Sequence, residues 1–232
     1  MKNLCFIFSD QLSHSIPSLA DVEENDIIFL CEVMEEATYV KHHPKKIAFL
    51  FASMRYFAAE LELSGHRVHY TKLTNSSNTN TLSSEIIRIV QTFAIEQRII
   101  FTESSEYRMK VMIEELRKLL KIPIQVRTDN RFLCSIQEFK LWTQGKKQLR
   151  MEYFYCEMRK KYQILMKSKD FPIGGKWNYD KENRKPPIKN LTSPRRISHK
   201  KIYYPERSIT NGTRKIFFSF WYFRALSLRC NT

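Results

Sequence analysis

Polar and acidic side chains stand where the apolar runs of this chain stop. Ser9, Asp10 and Gln11 follow "NLCFIF", Glu32 to Glu36 follow "DIIFLC", Thr102 and Glu103 close "RIIFTE", and Thr128 and Asp129 close "IPIQVRT". Carboxylate and amide groups placed like this can hydrogen-bond the carbonyl and N–H edges of a planar heterocycle. Asp10 and Gln11 are the first candidates for that role, with a turn or helix cap as the alternative. Glu36 has Tyr39, His42 and His43 beside it. Adjacent histidines cannot both reach one ion from a helix without a third ligand, so no metal site is expected there. For Leu50, spacing alone indicates an ordinary core leucine. Glu103 and Glu106 precede a helical pattern, where a carboxylate favours the helix N-terminus.

A second group of candidates is basic and aromatic. Lys146, Lys147, Arg150, Arg159, Lys160 and Lys161 interleave with Tyr153, Phe154 and Tyr155. Such a mixture can track a nucleic-acid backbone or pack against another domain. The stretch "GGKWNYDKENRKPP", 174–187, adds Trp177, Tyr179 and Arg184. Its aromatic residues either contact a further domain, which would leave the loop poorly ordered without that domain, or pack back on their own segment.

The elements that must position these residues follow from periodicity. Strands are expected at 3–8, 26–33, 67–73, 98–103 and 122–128. Between Tyr39 and Leu63 the residues Ile47, Leu50, Phe51, Met54, Phe57, Ala58 and Leu61 fall at helical spacing, and Gly65 stops that helix. Further helices are expected at 82–96, capped by Ser83 or Ser84, and at 105–121, 135–145 and 150–167. Five apolar strands alternating with helices predict an α/β, Rossmann-like, five-stranded parallel sheet, with a short helical and basic C-terminal extension. Ligands of such sheets bind beyond the carboxyl ends of the strands, where the polar residues lie. Neither GxGxxG nor GxxxxGK[ST] occurs, which argues against a dinucleotide or P-loop site.

Charge divides the chain. Residues 1–139 hold 16 Lys/Arg and 18 Asp/Glu, residues 140–188 hold 13 and 5, and residues 189–232 hold 10 and 1, within a net charge of +15. The expected organisation is an α/β domain over 1–130, a helical and loop segment over 131–190, and an atypical, poorly ordered basic tail over 191–232. Five cysteines, Cys5, Cys31, Cys134, Cys156 and Cys230, show no metal-binding spacing, and Cys5 and Cys31 sit in apolar runs as buried strand residues. A reducing, cytoplasmic setting fits this usage. "LCFIF" is too short for a signal segment and "IFFSFWYF" too short to cross a bilayer.

Several stretches together resemble one family. "SDQLS", "CEVMEEATYVKHHPKKIAFLFASMRYFAAEL", "DNRFLCS", "GKKQLRMEYFYCEMRKK" and "GGKWNYDKENRKP" are similar, in order and spacing, to the N-terminal part of the deoxyribodipyrimidine photolyase-related family. This is the iron–sulfur branch of bacterial cryptochromes and (6-4) photolyases. The resemblance covers roughly residues 1 to 190. It implies a light-harvesting antenna domain that binds 6,7-dimethyl-8-ribityllumazine, with Asp10, Gln11, Glu36, Tyr39, His43 and Leu50 near the chromophore. It also implies that FAD and a [4Fe–4S] cluster belong to a helical catalytic domain that this chain does not contain, so no catalytic residue is assigned and no repair by the chain alone is expected. At "TESSEYR" the family tends to have Pro-Gly for Ser104-Ser105 and Trp for Tyr107, so residue roles do not carry over at that loop. The resemblance places DNA mainly on the helical domain. Lys146, Lys147, Arg150, Arg159, Trp177 and Arg184 are then interdomain contacts first, with weak electrostatic attraction to DNA. A separately encoded catalytic domain is a further expected partner. The competing expectation is a non-enzymatic basic module that binds nucleic acid with a steep salt dependence.

Overall fold

A computed structural model describes residues 2–192, 194 and 195. They fall into two units, of which the first is described over 2–131 and the second from Phe132 onward. The first unit runs β1 (Asn3–Phe6), a 3-10 turn (Pro17–Leu19), β2 (Ile27–Cys31), α1 (Met34–Thr38), α2 (Pro44–Leu63), β3 (Val68–Thr71), α3 (Leu82–Thr92), β4 (Arg98–Thr102), α4 (Tyr107–Leu119) and β5 (Ile124–Arg127). The five strands form one parallel sheet, as the alternating pattern predicts, and their order is β3-β2-β1-β4-β5. β1 is central and paired on both sides, which is why all four of its residues are buried.

Helices cover both faces. Leu4, Phe6, Phe29 and Phe101 point to one side, where Ile86, Ile89, Ile113 and Leu116 pack on them. Cys5, Ile7, Ile28, Leu30 and Ile100 point to the other, against Phe51, Met54, Phe57, Ala58 and Leu61 of α2. The period-two alternation of strand side chains therefore sorts one apolar run into two cores. Burial pushes the Cys5 thiol up to about 12 and raises that of Cys31 well above its ordinary value, so both are inert packing residues.

Local chemistry sets the boundaries. Pro44 opens α2 at a first-turn position that needs no N–H, and the His43 ring accepts the Lys45 N–H at 3.1 Å as its cap. α3 is capped by Thr81, whose hydroxyl accepts the Ser84 N–H at 3.3 Å. The expected cap residues, Ser83 and Ser84, lie inside the helix, because Thr81 is the last residue with extended backbone.

The second unit holds α5 (Ile136–Thr143), α6 (Met151–Tyr162), a hairpin of β6 (Met166–Ser168) and β7 (Phe171–Pro172), a 3-10 turn (Ile173–Gly175) and the single turn α7 (Asp180–Asn183). Ser135 and Glu138 form a reciprocal capping box on α5. The helix expected over 150–167 ends at Tyr162, where Gln163 and Leu165 take left-handed backbone at φ 53° and 55° and the chain turns into the hairpin. Gly174 has φ +79°, and a Cβ there would meet the Tyr179 hydroxyl at 2.2 Å, so this position requires glycine. Most of the tail expectation, from residue 196 on, lies outside the described residues.

Candidate functional site

The carboxyl ends of β1 and β2 border a small cleft, with room inside for about one water at roughly 10 Å³, lined by Phe8, Ser9, Cys31, Glu36, Phe51, Met54 and Leu82 among others. The floor is apolar because strand ends and the inner face of α2 supply it. The polar atoms are those of Ser9 and Glu36. The Glu35 carboxylate accepts the Leu82 N–H at 2.9 Å, and the Glu35 N–H donates to the Asn80 carbonyl at 3.1 Å, so the short α1 is fixed beside α3 and Glu36 is held at the rim.

Arg108 organises that rim. Its Nη1 donates to Glu36 Oε1 at 2.5 Å, its Nη2 donates to Glu106 Oε2 at 2.8 Å, and its guanidinium carbon lies 4.0 Å from the centre of the Tyr39 ring. The His42 ring meets Tyr39 edge-on at 5.0 Å. Glu36, Tyr39, His42, Glu106 and Arg108 thus form one cluster of two carboxylates, one cation and two rings. A planar guanidinium on an aromatic face gains from both dispersion and the ring quadrupole. Arg108 is the second residue of α4 and was not singled out by the sequence. The signal that could have found it is its spacing of two residues from Glu106.

The other expected site residues take different roles. Asp10 is exposed, and its carbonyl accepts from Arg131 Nη1 at 2.6 Å. Neighbouring atoms displace water from the Asp10 carboxyl and raise its pKa above the ordinary carboxylate value, an effect that Glu106 and Asp129 add to and Arg131 opposes. Asp129 in turn forks onto Arg131, with Nη2 to Oδ2 at 2.7 Å. Gln11 is fully buried. Its Nε2 donates to the carbonyls of Thr102 and Glu103, both at 3.2 Å, which ties the end of β1 to the end of β4. Gln11 Oε1 is buried and has no hydrogen-bond partner among the described residues. Leu50 is half-buried against the α2 side of the core. His43 is exposed and serves as the α2 cap described above.

Beneath the cleft a buried network was missed by the sequence reading. Glu32 is wholly buried, forks onto Arg55 at 2.5 and 2.9 Å, and accepts the Tyr70 hydroxyl at 2.7 Å and the Leu73 N–H at 3.0 Å. Four donors on one carboxylate identify a structural anchor.

In the second unit, the basic candidates separate. Arg159 is only 6% exposed; its guanidinium donates to the carbonyls of Ile164 and Leu165 and lies 5.3 Å from the Trp177 ring centre. Lys160 approaches the same ring at 5.6 Å. Trp177 is half-buried on its own unit, while Tyr179 of the same loop is exposed. Lys146 lies 3.7 Å over Trp142 and 3.9 Å from Glu157. Lys147, Arg150 and Arg184 are exposed. Among the described residues no group of three or more His, Cys, Asp or Glu is placed to hold a metal ion, and no helix is long and apolar enough to cross a membrane.

A parallel α/β sheet with polar side chains at its carboxyl edge and no phosphate loop defines a Rossmann-like domain outside the dinucleotide class. Comparison with known proteins gives its family. The model for "deoxyribodipyrimidine photo-lyase-related protein" matches residues 5–209. A "(6-4) photolyase" of Agrobacterium fabrum is 44% identical over 196 residues, covering 84% of this chain and 38% of that protein. An uncharacterised protein of Acanthamoeba polyphaga mimivirus is 27% identical over 202 residues, covering 79% of this chain and 94% of that protein. The chain belongs to the deoxyribodipyrimidine photo-lyase-related family, and it spans well under half the length of the Agrobacterium relative.

Proposed function

We propose that the first unit is an antenna domain of a (6-4) photolyase-type protein, which holds a light-absorbing heterocycle of the 8-ribityllumazine class at the carboxyl ends of β1 and β2, over the small cleft there. The observation that carries the reading is the pairing of an apolar floor, Phe8, Phe51 and Met54, with a single carboxylate, Glu36, at the rim. An aromatic ring system buries its faces against such a floor, while its amide edge needs a few fixed polar partners. Gln11 Oε1, an unsatisfied buried acceptor at the same sheet edge, offers one more. The 44% identity to a (6-4) photolyase supports the class of protein. The chromophore would supply light absorption. The chain's own residues bind it, orient it and exclude water from one face. The function proposed for this chain is light collection, with repair assigned to no residue of it.

The test is titration of the full chain with 6,7-dimethyl-8-ribityllumazine, followed by fluorescence and near-visible absorption. The expected outcome is saturable binding with a spectral shift. Glu36→Gln keeps the side-chain shape, and it should weaken binding about 10-fold, equivalent to about 1.4 kcal/mol. Absence of any shift at millimolar lumazine, with riboflavin equally inert, would sink the reading.

A further inference from the structure

One face of α2 is spent on the core; the opposite face carries a second apolar stripe. Phe51, Met54, Phe57, Ala58 and Leu61 are buried. Phe49 is 73% exposed and Leu63 81% exposed, with Tyr56 and Ala52 also exposed between them and Ala59 half-buried. Phe49, Tyr56 and Leu63 are spaced by seven; Ala52 and Ala59 follow the first two by three. That is the a/d pattern of a helix made to meet another helix, repeated over about 21 Å from Phe49 to Leu63 at about 1.5 Å per residue.

We propose that this stripe pairs with the same stripe of a second copy, the two α2 helices running antiparallel about a two-fold axis. The occupant is set by complementarity within the stripe itself. In an antiparallel pair each a residue faces a d residue. Phe49 then meets Ala59 of the partner subunit and Tyr56 meets Ala52 of the partner subunit. Each of these central layers joins a large ring to a small methyl, which lets the helices approach closely without overpacking, while the outermost layers set Leu63 against the aliphatic stem of Lys45 of the partner subunit. A parallel pair would instead set ring on ring and leave gaps at the alanines. Tyr56 has another contact within its own chain and contributes to the register by its position.

Charge favours the same arrangement. Lys45 and Lys46 stand at the start of the helix, and Glu60 and Glu62 at its end. Lys46 and Glu60 share one flank of the stripe, seven residues either side of Ser53. Antiparallel pairing brings Lys46 to Glu60 of the partner subunit, twice by symmetry. Among the described residues their side chains have histidine partners: His42 Nδ1 lies 3.4 Å from Lys46 Nζ, and His14 Nε2 lies 3.3 Å from Glu60 Oε2. No carboxylate among the described residues competes for Lys46.

Sedimentation velocity of the full chain over a concentration series tests this. The expected result is a monomer–dimer equilibrium that dissociates on dilution, because a single helix pair buries less than a standard interface. Phe49→Glu, at a solvent-facing position, should weaken dimerisation at least about 100-fold with an unchanged circular dichroism spectrum. Lys46→Glu and Glu60→Lys should each weaken it about 10-fold, and the double reversal should restore it, since the crossed pair is rebuilt. A chain that stays monomeric at the highest soluble concentration overturns the proposal. So does a dimer indifferent to Phe49→Glu, or one that the double reversal fails to restore.

Discussion

At the scale of single residues, several side chains are tuned by what surrounds them. His69 on β3 lies between the rings of Phe29 and Phe93, at 5.8 and 5.0 Å. Burial first, and the Arg88 charge second, hold its pKa below 6.5, with Glu85 opposing. The unfolded chain therefore takes up a proton near pH 6.5 that the folded chain refuses, so stability falls as pH drops below that value and levels off below the folded pKa. A second loss should follow at lower pH. Arg127 holds the Asp21 carboxyl below its ordinary value, and Arg131 does so for Asp129. At Glu85 burial works upward, but donors from Arg88 and Thr79 outweigh it and lower the pKa. Stability from these carboxylates is present above their ordinary range and is lost as they are protonated. Urea unfolding between pH 3 and pH 8 should show both steps. His69→Phe keeps the ring packing and should erase the upper step alone; an unchanged slope between pH 5 and pH 6.5 in that variant would refute the assignment. None of this tuning was legible in the sequence, since it depends on which side chains meet across strands. The polar strand ends were legible, because an apolar run that stops at Asp10 or Glu36 has already left the core. Arg108 and the Glu32–Arg55–Tyr70 network were not, because their partners lie 72, 23 and 38 residues apart in sequence.

At the scale of elements, the strands and the inner faces of the helices could be read directly, since burial on a sheet imposes a strict period. The ends were harder. Gly145, with φ +71°, marks the stop after α5 as expected from its residue type. The stop after α6 is made by Gln163 and Leu165, two residues that seldom adopt left-handed backbone and so give no signal in the sequence. The α3 cap was misplaced because Thr81, Ser83 and Ser84 are all capable caps, and only backbone conformation selects among them. The structure predicts their ranking. Thr81→Ala should cost about 1 kcal/mol, while Ser83→Ala and Ser84→Ala should be neutral or slightly stabilising within the helix. Thermal or urea unfolding of the three variants checks this, and an equal loss in all three would contradict the cap.

At the scale of the whole molecule, the two units differ in how they could be stable. Every buried apolar residue of the two core clusters lies between Leu4 and Ile124. They fill both faces of an open set of parallel strands, and burial of this extent offsets the conformational entropy of a domain of this size. The second unit has little comparable interior. Its helices and their connection carry exposed apolar side chains such as Leu141, Leu149 and Met151, and among the side chains it does bury is the charged Arg159, held by two carbonyls and Trp177. Rings and cations stacked at the surface give far less stabilisation than a core. A fragment of residues 1–131 should therefore fold alone, with a cooperative thermal transition and the parallel-sheet circular dichroism of the full chain. A fragment of residues 132–195 should show helical signal without a cooperative transition, because helices of eight and twelve residues are marginal without tertiary burial. Separate expression and melting of the two fragments decides it: a cooperative melt from the second fragment, or a non-cooperative one from the first, would mean that the stabilising interior is not where the buried side chains place it.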